Sequence, residues 1–181
     1  VDPSWAAVNA IQPHVVIDAI IAKKNLGTQK DEAPLVIALG PGFDAGSDVH
    51  LVIETNRGHH MGRVIRKGPA EPNTGIPGDI GGKTVERVLR APCKGVFTSD
   101  IQIGSLAKEG QIIGHVDETP VRAQISGMVR GLIRNGSTVK KGLKIGDIDP
   151  RGDKASYNTV SEKARSIGGA VLEAILSEFN K

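Results

Sequence analysis

The sequence predicts an α/β plus β chain. A partial mixed α/β sheet domain covers residues 1–87, a domain of short hairpin strands covers 88–149, and a linker with a C-terminal amphipathic helix covers 150–181. Three observations carry this reading. Apolar runs of strand length alternate with glycine loops in the first half, the chain repeats itself at an offset of 32 residues in the second, and a 3.6-residue apolar period closes it.

In the first half, Ser4 to Ala10 reads as a short helix stopped before Pro13. The run HVVIDAIIA follows, broken only by Asp18, and such a run suits a strand buried on both faces. PLVIALG and DVHLVIET are the second and third strands, separated by the glycine loop GPGFDAGS. Nine residues, Gly40 to Asp48, link them. That length disfavours parallel pairing unless the loop holds a helical turn or the strands are not adjacent. The chain opens with Val rather than Met, so part of this sheet is expected upstream of residue 1.

Between residues 90 and 149 the repeat is ungapped: residues 90–117 align with 122–149, and eleven of the 28 pairs are identical. They include Arg90/Arg122, Gly95/Gly127, Gly104/Gly136, Gly110/Gly142, Gly114/Gly146 and Asp117/Asp149. Unrelated segments of average composition would share about two. Each copy reads strand, turn, strand, with glycines where the backbone must reverse. Two such units packed face to face bury what neither buries alone. Gly104 and Gly136 are expected in equivalent turns, with no helix inside either copy. Cys93 occupies the position of Ile125, so it is read as a strand residue packed in the barrel rather than as a reactive thiol.

The pattern A-P-x-x-G-x-V in residues 91–97, with its glycine-spaced continuation, resembles the barrel-sandwich hybrid of biotinyl and lipoyl domains. Carrier members of that fold acylate a lysine in the turn between the halves. Here the turn is Val116-Asp117-Glu118-Thr119-Pro120-Val121, and no lysine lies between Lys108 and Lys140. A swinging-arm function is therefore excluded.

From Ser161, an N-cap followed by Glu162, the apolar positions Ala164, Ile167, Val171, Leu172, Ile175, Leu176 and Phe179 mark a helix that covers a sheet face. Gly168-Gly169 would weaken it by about 1 kcal/mol per glycine relative to alanine, so close packing is expected there.

Composition narrows the function. No apolar run approaches the ~20 residues of a membrane helix. No leader opens the chain and the lone Cys93 excludes a disulfide framework, so a cytoplasmic protein is expected. A net charge of +3 is too mild to imply nucleic acid. The segment from Pro120 to Gly146 holds six cations and no acid, read as a solvated basic face. His59-His60 are adjacent and point apart, so no metal site is assigned. Gly82-Lys83-Thr84 ends like a phosphate loop, but Pro77 stands where its first glycine should be.

The expected binding site is at strand ends. Gly40, Gly42, Asp44 and Gly46 lie in a loop that imitates a dinucleotide fingerprint with its third glycine one residue late, yet its amides could cradle an anion. Glu54, Asn56, Arg57 and His59 gather beyond the third strand, with Arg57 expected to grip the anion and Glu54 to orient Arg57 or His59. No catalytic residue and no named cofactor follow from the residues.

The segments 18–28, 33–65, 72–92, 129–153 and 163–176, with GPGF-x-AG and VIETNRGH among them, resemble the selenium-dependent molybdenum hydroxylase accessory protein family of the YqeB-like type. That resemblance implies a Rossmann-like fragment here, its glycine-rich opening lying upstream of a V-D-P matching Val1 to Pro3. It also implies a maturation role, with the apo-hydroxylase or cofactor-assembly proteins as partners and an anionic small molecule as ligand. Oligomeric state stays open. The alternative is an enzyme acting on a nucleotide or selenium species in a cleft between the domains. The sequence shows no nucleophile and base pair, which favours the non-catalytic factor.

Overall fold

The computed structural model describes residues 4–180; Val1 to Pro3 and Lys181 lie outside the described residues. In chain order the elements are α1 (Ala6–Ile11), β1 (Val15–Asp18), β2 (Leu35–Leu39), β3 (Asp44–Ala45), β4 (Leu51–Ile53), β5 (Val64–Ile65), β6 (Gly68–Pro69), β7 (Val88–Arg90), β8 (Gly95–Thr98), β9 (Leu106–Ala107), β10 (Ile112–Val116), β11 (Thr119–Arg122), β12 (Gly127–Leu132), β13 (Thr138–Val139), β14 (Lys144–Asp149) and α2 (Glu162–Phe179). The chain is thus mixed α/β, mostly sheet, with a half-barrel and a C-terminal helix. It divides into two compact units, one of residues 4–74 with 160–180 and one of 75–159. Among the described residues no helix is long and apolar enough to cross a membrane.

The first unit is built on a sheet of order β1-β2-β4-β5. Alternate residues of β2 and β4 point to opposite faces, and both faces are buried. Leu35, Ile37, Leu51 and Ile53 meet Ala170 and Ala174 of α2, while Val36, Ala38 and Val52 meet Phe43, Ala45 and Val49. The sequence expectation for β1 fails. Its run ends at Asp18, Ile17 is 43% exposed and Ile20 57%, because β1 is an edge strand and α2 packs on β2, β4 and β5. The Asp18 carboxylate ends the strand by accepting the Ile20 N–H (3.0 Å) and the buried Thr28 hydroxyl (2.6 Å).

Pairing direction is a second correction, since β2 pairs parallel with both β1 and β4. The loop holds no helix, only a single i→i+4 turn at Asp44 to Asp48. The chain leaves β2 through Gly40, forms β3 against β6, and turns back where the Asp44 carbonyl accepts the N–H groups of Ser47 and Asp48. His50 then completes the ladder early: its N–H donates to the Val36 carbonyl, and its Nδ1 accepts the Val36 N–H, each at 3.0 Å. A tight excursion onto one sheet face thus replaces the helix that parallel strands usually require.

Helix α2 begins as expected, with the Ser161 hydroxyl accepting the Ala164 N–H at 3.2 Å. Its apolar residues do not form one face. Ile167, Ala170, Val171, Ala174 and Ile175 pack on the sheet, whereas Leu172, Leu176 and Phe179 are half exposed. No atom lies within 4 Å of a Cβ built at Gly168 or Gly169, so within this structure the glycine pair serves no close approach.

In the second unit every strand of one copy maps onto a strand of the other at the 32-residue offset, β7 to β11, β8 to β12, β9 to β13 and β10 to β14. The pairings map too. Phe97 opposite Val116 becomes Val129 opposite Ile148, and Gly95 opposite Val139 becomes Gly127 opposite Ala107. The two sheets, β11-β10-β8-β13 and β7-β14-β12-β9, each flank a central pair from one copy with outer strands from the other. Their shared core holds Phe97, Ile113, Val116, Val129, Ile145 and Ile148. Gly104 (φ +98°) and Gly136 (φ +81°) occupy equivalent turns, donating to the carbonyls of Val129 and Phe97. Arg90 Nη1 donates to the Gly142 carbonyl and Arg122 Nη1 to that of Gly110, both at 3.0 Å. Arg90/Arg122, Gly104/Gly136 and Gly110/Gly142 of the repeat's identical pairs are thus residues through which each copy contacts the other.

Cys93 is not a strand residue. It sits in a bend before β8, partly buried against the core, with Sγ 3.5 Å from the Thr119 hydroxyl; Ile125 occupies the matching bend before β12. The turn between the copies is Asp117-Glu118, where the Asp117 carboxylate accepts the Val96 N–H and fills the space a side chain at Gly95 would need. Half of the basic segment is engaged within the unit: Arg122 as above, Arg130 with Asp149, and Lys144 with Asp147.

Two predictions follow from this packing. A Cβ at Gly114 would stand 2.5 Å from the Thr98 carbonyl oxygen, and one at Gly146 would stand 2.8 Å from Leu89. Gly114→Ala and Gly146→Ala should each cost about 1–3 kcal/mol in chemical denaturation. Gly110→Ala meets only open space at φ +79° and should cost about 1–2 kcal/mol, that of the left-handed backbone alone. The second concerns acid. Asp149 is fully buried and accepts from Arg151 Nε (2.9 Å) and Nη2 (2.6 Å). Those hydrogen bonds hold its carboxyl below the ordinary aspartate range, against the opposing effect of burial. A carboxyl depressed on folding stabilises above its unfolded pKa, and that contribution is lost as pH falls through the folded value. The free energy of unfolding should therefore fall more steeply with acid below about pH 4 in the native chain than in Asp149→Asn.

Candidate functional site

Parallel pairing sends β1, β2 and β4 out of the sheet at the same end, and their exit loops meet there. The Gly40 N–H donates to the Ile53 carbonyl at 2.8 Å, and a Cβ at Gly40 would lie 2.5 Å from Thr55 Oγ1. A Cβ at Gly42 would lie 2.5 Å from Lys24 Cα, and the Gly42 carbonyl accepts the Asn25 N–H at 3.1 Å. The two glycines, at φ +80° and +110°, let the β2 exit touch both neighbours. The carboxyl end of a parallel sheet is where open α/β folds take ligands.

Glu54, only 2% exposed, organises the β4 exit: its carboxylate oxygens accept the N–H groups of Asn56 (2.7 Å) and Glu71 (2.8 Å). It is thus tied to backbone and not to Arg57 or His59 as the sequence suggested. The Asn56 amide donates to the Glu71 carboxylate, and Arg57 Nη1 donates to Glu162 in the first turn of α2. Both partners of that ion pair are well exposed, at 42% and 71% of side-chain area.

The anion cradle expected from the glycine loop is reduced. The amides of Gly40, Asp44 and Gly46 all donate inward, to Ile53, Asp48 and Val49. Asp44 and Gly46 belong to the return path toward β4, where Lys30 Nζ donates to the Gly46 carbonyl. His59 is exposed and meets His60 edge to face with ring centroids 5.2 Å apart. The structure therefore gathers Gly40, Gly42, Glu54, Asn56 and Arg57, and directs the contacts of Asp44 and Gly46 elsewhere.

Two cations that the sequence reading missed complete the cluster. Lys163, half-buried in the first turn of α2, has its amine pushed below the ordinary lysine range, first by burial and then by Lys23 and Arg57, with Glu54 opposing. Lys23 (φ +65°) lies in the β1 exit loop that Gly42 presses on. A signal for Lys163 was available. A lysine two residues after the N-cap faces the positive end of the helix dipole, which disfavours it unless negative charge is supplied. The end of the sheet thus gathers Lys23, Arg57 and Lys163 with three acids already engaged, Glu54 with backbone, Glu71 with Asn56 and Glu162 with Arg57.

No family model matches the chain. In sequence it is YqeB-like. It is 54% identical over 176 residues, 97% of its length, to the "Uncharacterized protein YqeB" of Escherichia coli K12, and it spans 32% of that relative. Among solved structures, an aspartoacylase family protein from Mesorhizobium loti overlaps 35% of this chain and 22% of its own, with 19% identity and a TM-score of 0.31. The ectoine utilization protein EutE (DoeB) from Ruegeria pomeroyi overlaps 46% and 27%, with 20% identity and a TM-score of 0.30.

Glu54→Ala should strand two backbone donors in a buried setting and cost about 2–4 kcal/mol, while Glu54→Gln keeps one acceptor oxygen and should cost less. Urea denaturation of the three proteins checks the order.

Proposed function

We propose that the chain is a non-catalytic accessory factor in the maturation of selenium-dependent molybdenum hydroxylases, working in the cytoplasm. In this reading the carboxyl end of the parallel sheet holds an anionic group, of a cofactor or of its precursor, for the apo-hydroxylase. The observation that carries the anion reading is the gathering of Lys23, Arg57 and Lys163 at one end of the sheet, where the half-buried Lys163 amine is pushed down first by burial and then by the two other cations, with Glu54 opposing. The start of α2, where Glu162 meets Arg57, places the positive end of the helix dipole at this cluster and favours the same ligand charge. The maturation role is supported by the resemblance of GPGF-x-AG and VIETNRGH to that family. We further read the half-barrel as a barrel-sandwich hybrid without a carrier lysine, on the strength of its matched registers and of the Asp117-Glu118 turn.

The test is a thermal-shift and calorimetric screen with sulfate, phosphate, molybdate, nucleotides and pterin phosphates. An anion should raise the melting temperature of the native chain, and Lys163→Met or Arg57→Ala should each weaken binding about tenfold, the loss of one charge-assisted hydrogen bond. Arg57→Lys keeps the charge without the fork and should fall between. Binding should also take up protons. An anion raises the depressed Lys163 amine, so sulfate, which does not titrate in this range, should bind more weakly as pH rises through that amine and should lose this dependence in Lys163→Met. Intact hydroxylase maturation in a complementation assay with both Arg57→Ala and Lys163→Met would remove the site from the function.

A further inference from the structure

The outward face of α2 is graded in size along its length. Arg165, Gly168, Gly169, Leu172, Leu176 and Phe179 fall on it at helical spacing, opposite Ala170 and Ala174, which are buried on the sheet. Leu172, Leu176 and Phe179 are 56%, 50% and 51% exposed, and the positions of the two glycines open onto empty space. Phe179 also lines a cavity beside Pro34, Leu35 and His50, whereas Leu172 and Leu176 take no part in the apolar cluster between α2 and the sheet. Three large apolar side chains half in water, next to two glycines that weaken their own helix by about 1 kcal/mol each, are features that burial against another helix would explain.

The stripe is self-complementary in one orientation. Leu172 lies midway between Gly168 and Leu176, and also midway between Arg165 and Phe179. When two α2 helices cross antiparallel with Leu172 on a two-fold axis, Leu176 of each copy lies over Gly168 and Gly169 of the other. Arg165 then lies beside the other helix's C-terminal turn, its negative end, and against Phe179. Parallel pairing would oppose bulk to bulk and leave a gap over the glycines. We propose that this face binds a second copy of the same chain through that antiparallel crossing. At 1.5 Å per residue the stripe from Arg165 to Phe179 runs about 21 Å, which makes a small interface and a dimer that dissociates on dilution.

Sedimentation velocity on the native chain across the micromolar range should show a monomer–dimer equilibrium. Leu176→Asp should weaken it at least about tenfold with little change in melting temperature, since the side chain points away from its own unit. Orientation is read by cross-linking in a Cys93→Ser background. A mixture of Gly168→Cys and Leu176→Cys chains should form a mixed disulfide, and neither alone should form one efficiently. A native chain monomeric at every concentration, a dimer indifferent to Leu176→Asp, or cross-linking of Gly168→Cys with itself would each overturn the proposal.

Discussion

Two parallel neighbours, β2 and β4, joined by residues 40–50, set the terms for the first unit. Parallel strands oblige the chain to travel back along their full length before pairing, and so short a connection leaves no room for the usual helix. The route taken presses backbone on backbone. Gly42 lies where any side chain would strike Lys24, and Gly40 where one would strike Thr55. That close approach draws the exits of β1 and β4 to the exit of β2, so the same steric constraint that permits the sheet also brings the three exit loops together. Glu54 then fixes the last of the three loops by accepting two backbone N–H groups. Its charge is thereby committed to architecture.

How much of this was legible in the sequence depends on the range of the interactions. The repeat was legible because its recurring residues answer to local backbone demands, positive φ at Gly104 and Gly136 above all, and to contacts that recur with them. The direction of β2 against β4 was not. It rests on β6, which lies far along the chain from β3 and gives the return path its partner. Burial of β1 was misjudged for a similar reason, since an apolar run announces strand character but not whether a helix lies over it. The periodicity of α2 was sound, yet an apolar arc that wide does not say which part meets the sheet.

The binding residues divide along the same line. Arg57 and Asn56 could be picked out as polar groups beyond a strand end, and both are there. Lys163 is distant in sequence from every residue it influences, so only the docking of α2 brings it beside Lys23 and Arg57. The glycine loop shows the converse. Its resemblance to a dinucleotide loop came from residue types, whereas the inward hydrogen bonds of Gly40 and Gly46 show those types serving a reversal of the chain.

Arg90 reaches the Gly142 carbonyl and Arg122 that of Gly110, so each copy in the half-barrel caps the glycine turn of the other. An isolated ancestral copy could have made these contacts only with a second molecule. Joining two copies through a two-residue turn made the partner permanently local, replacing an encounter governed by concentration with one governed by a tether. The two copies thus meet inside one chain as the halves of a homodimer would, and the exchanged contacts form without any dependence on concentration.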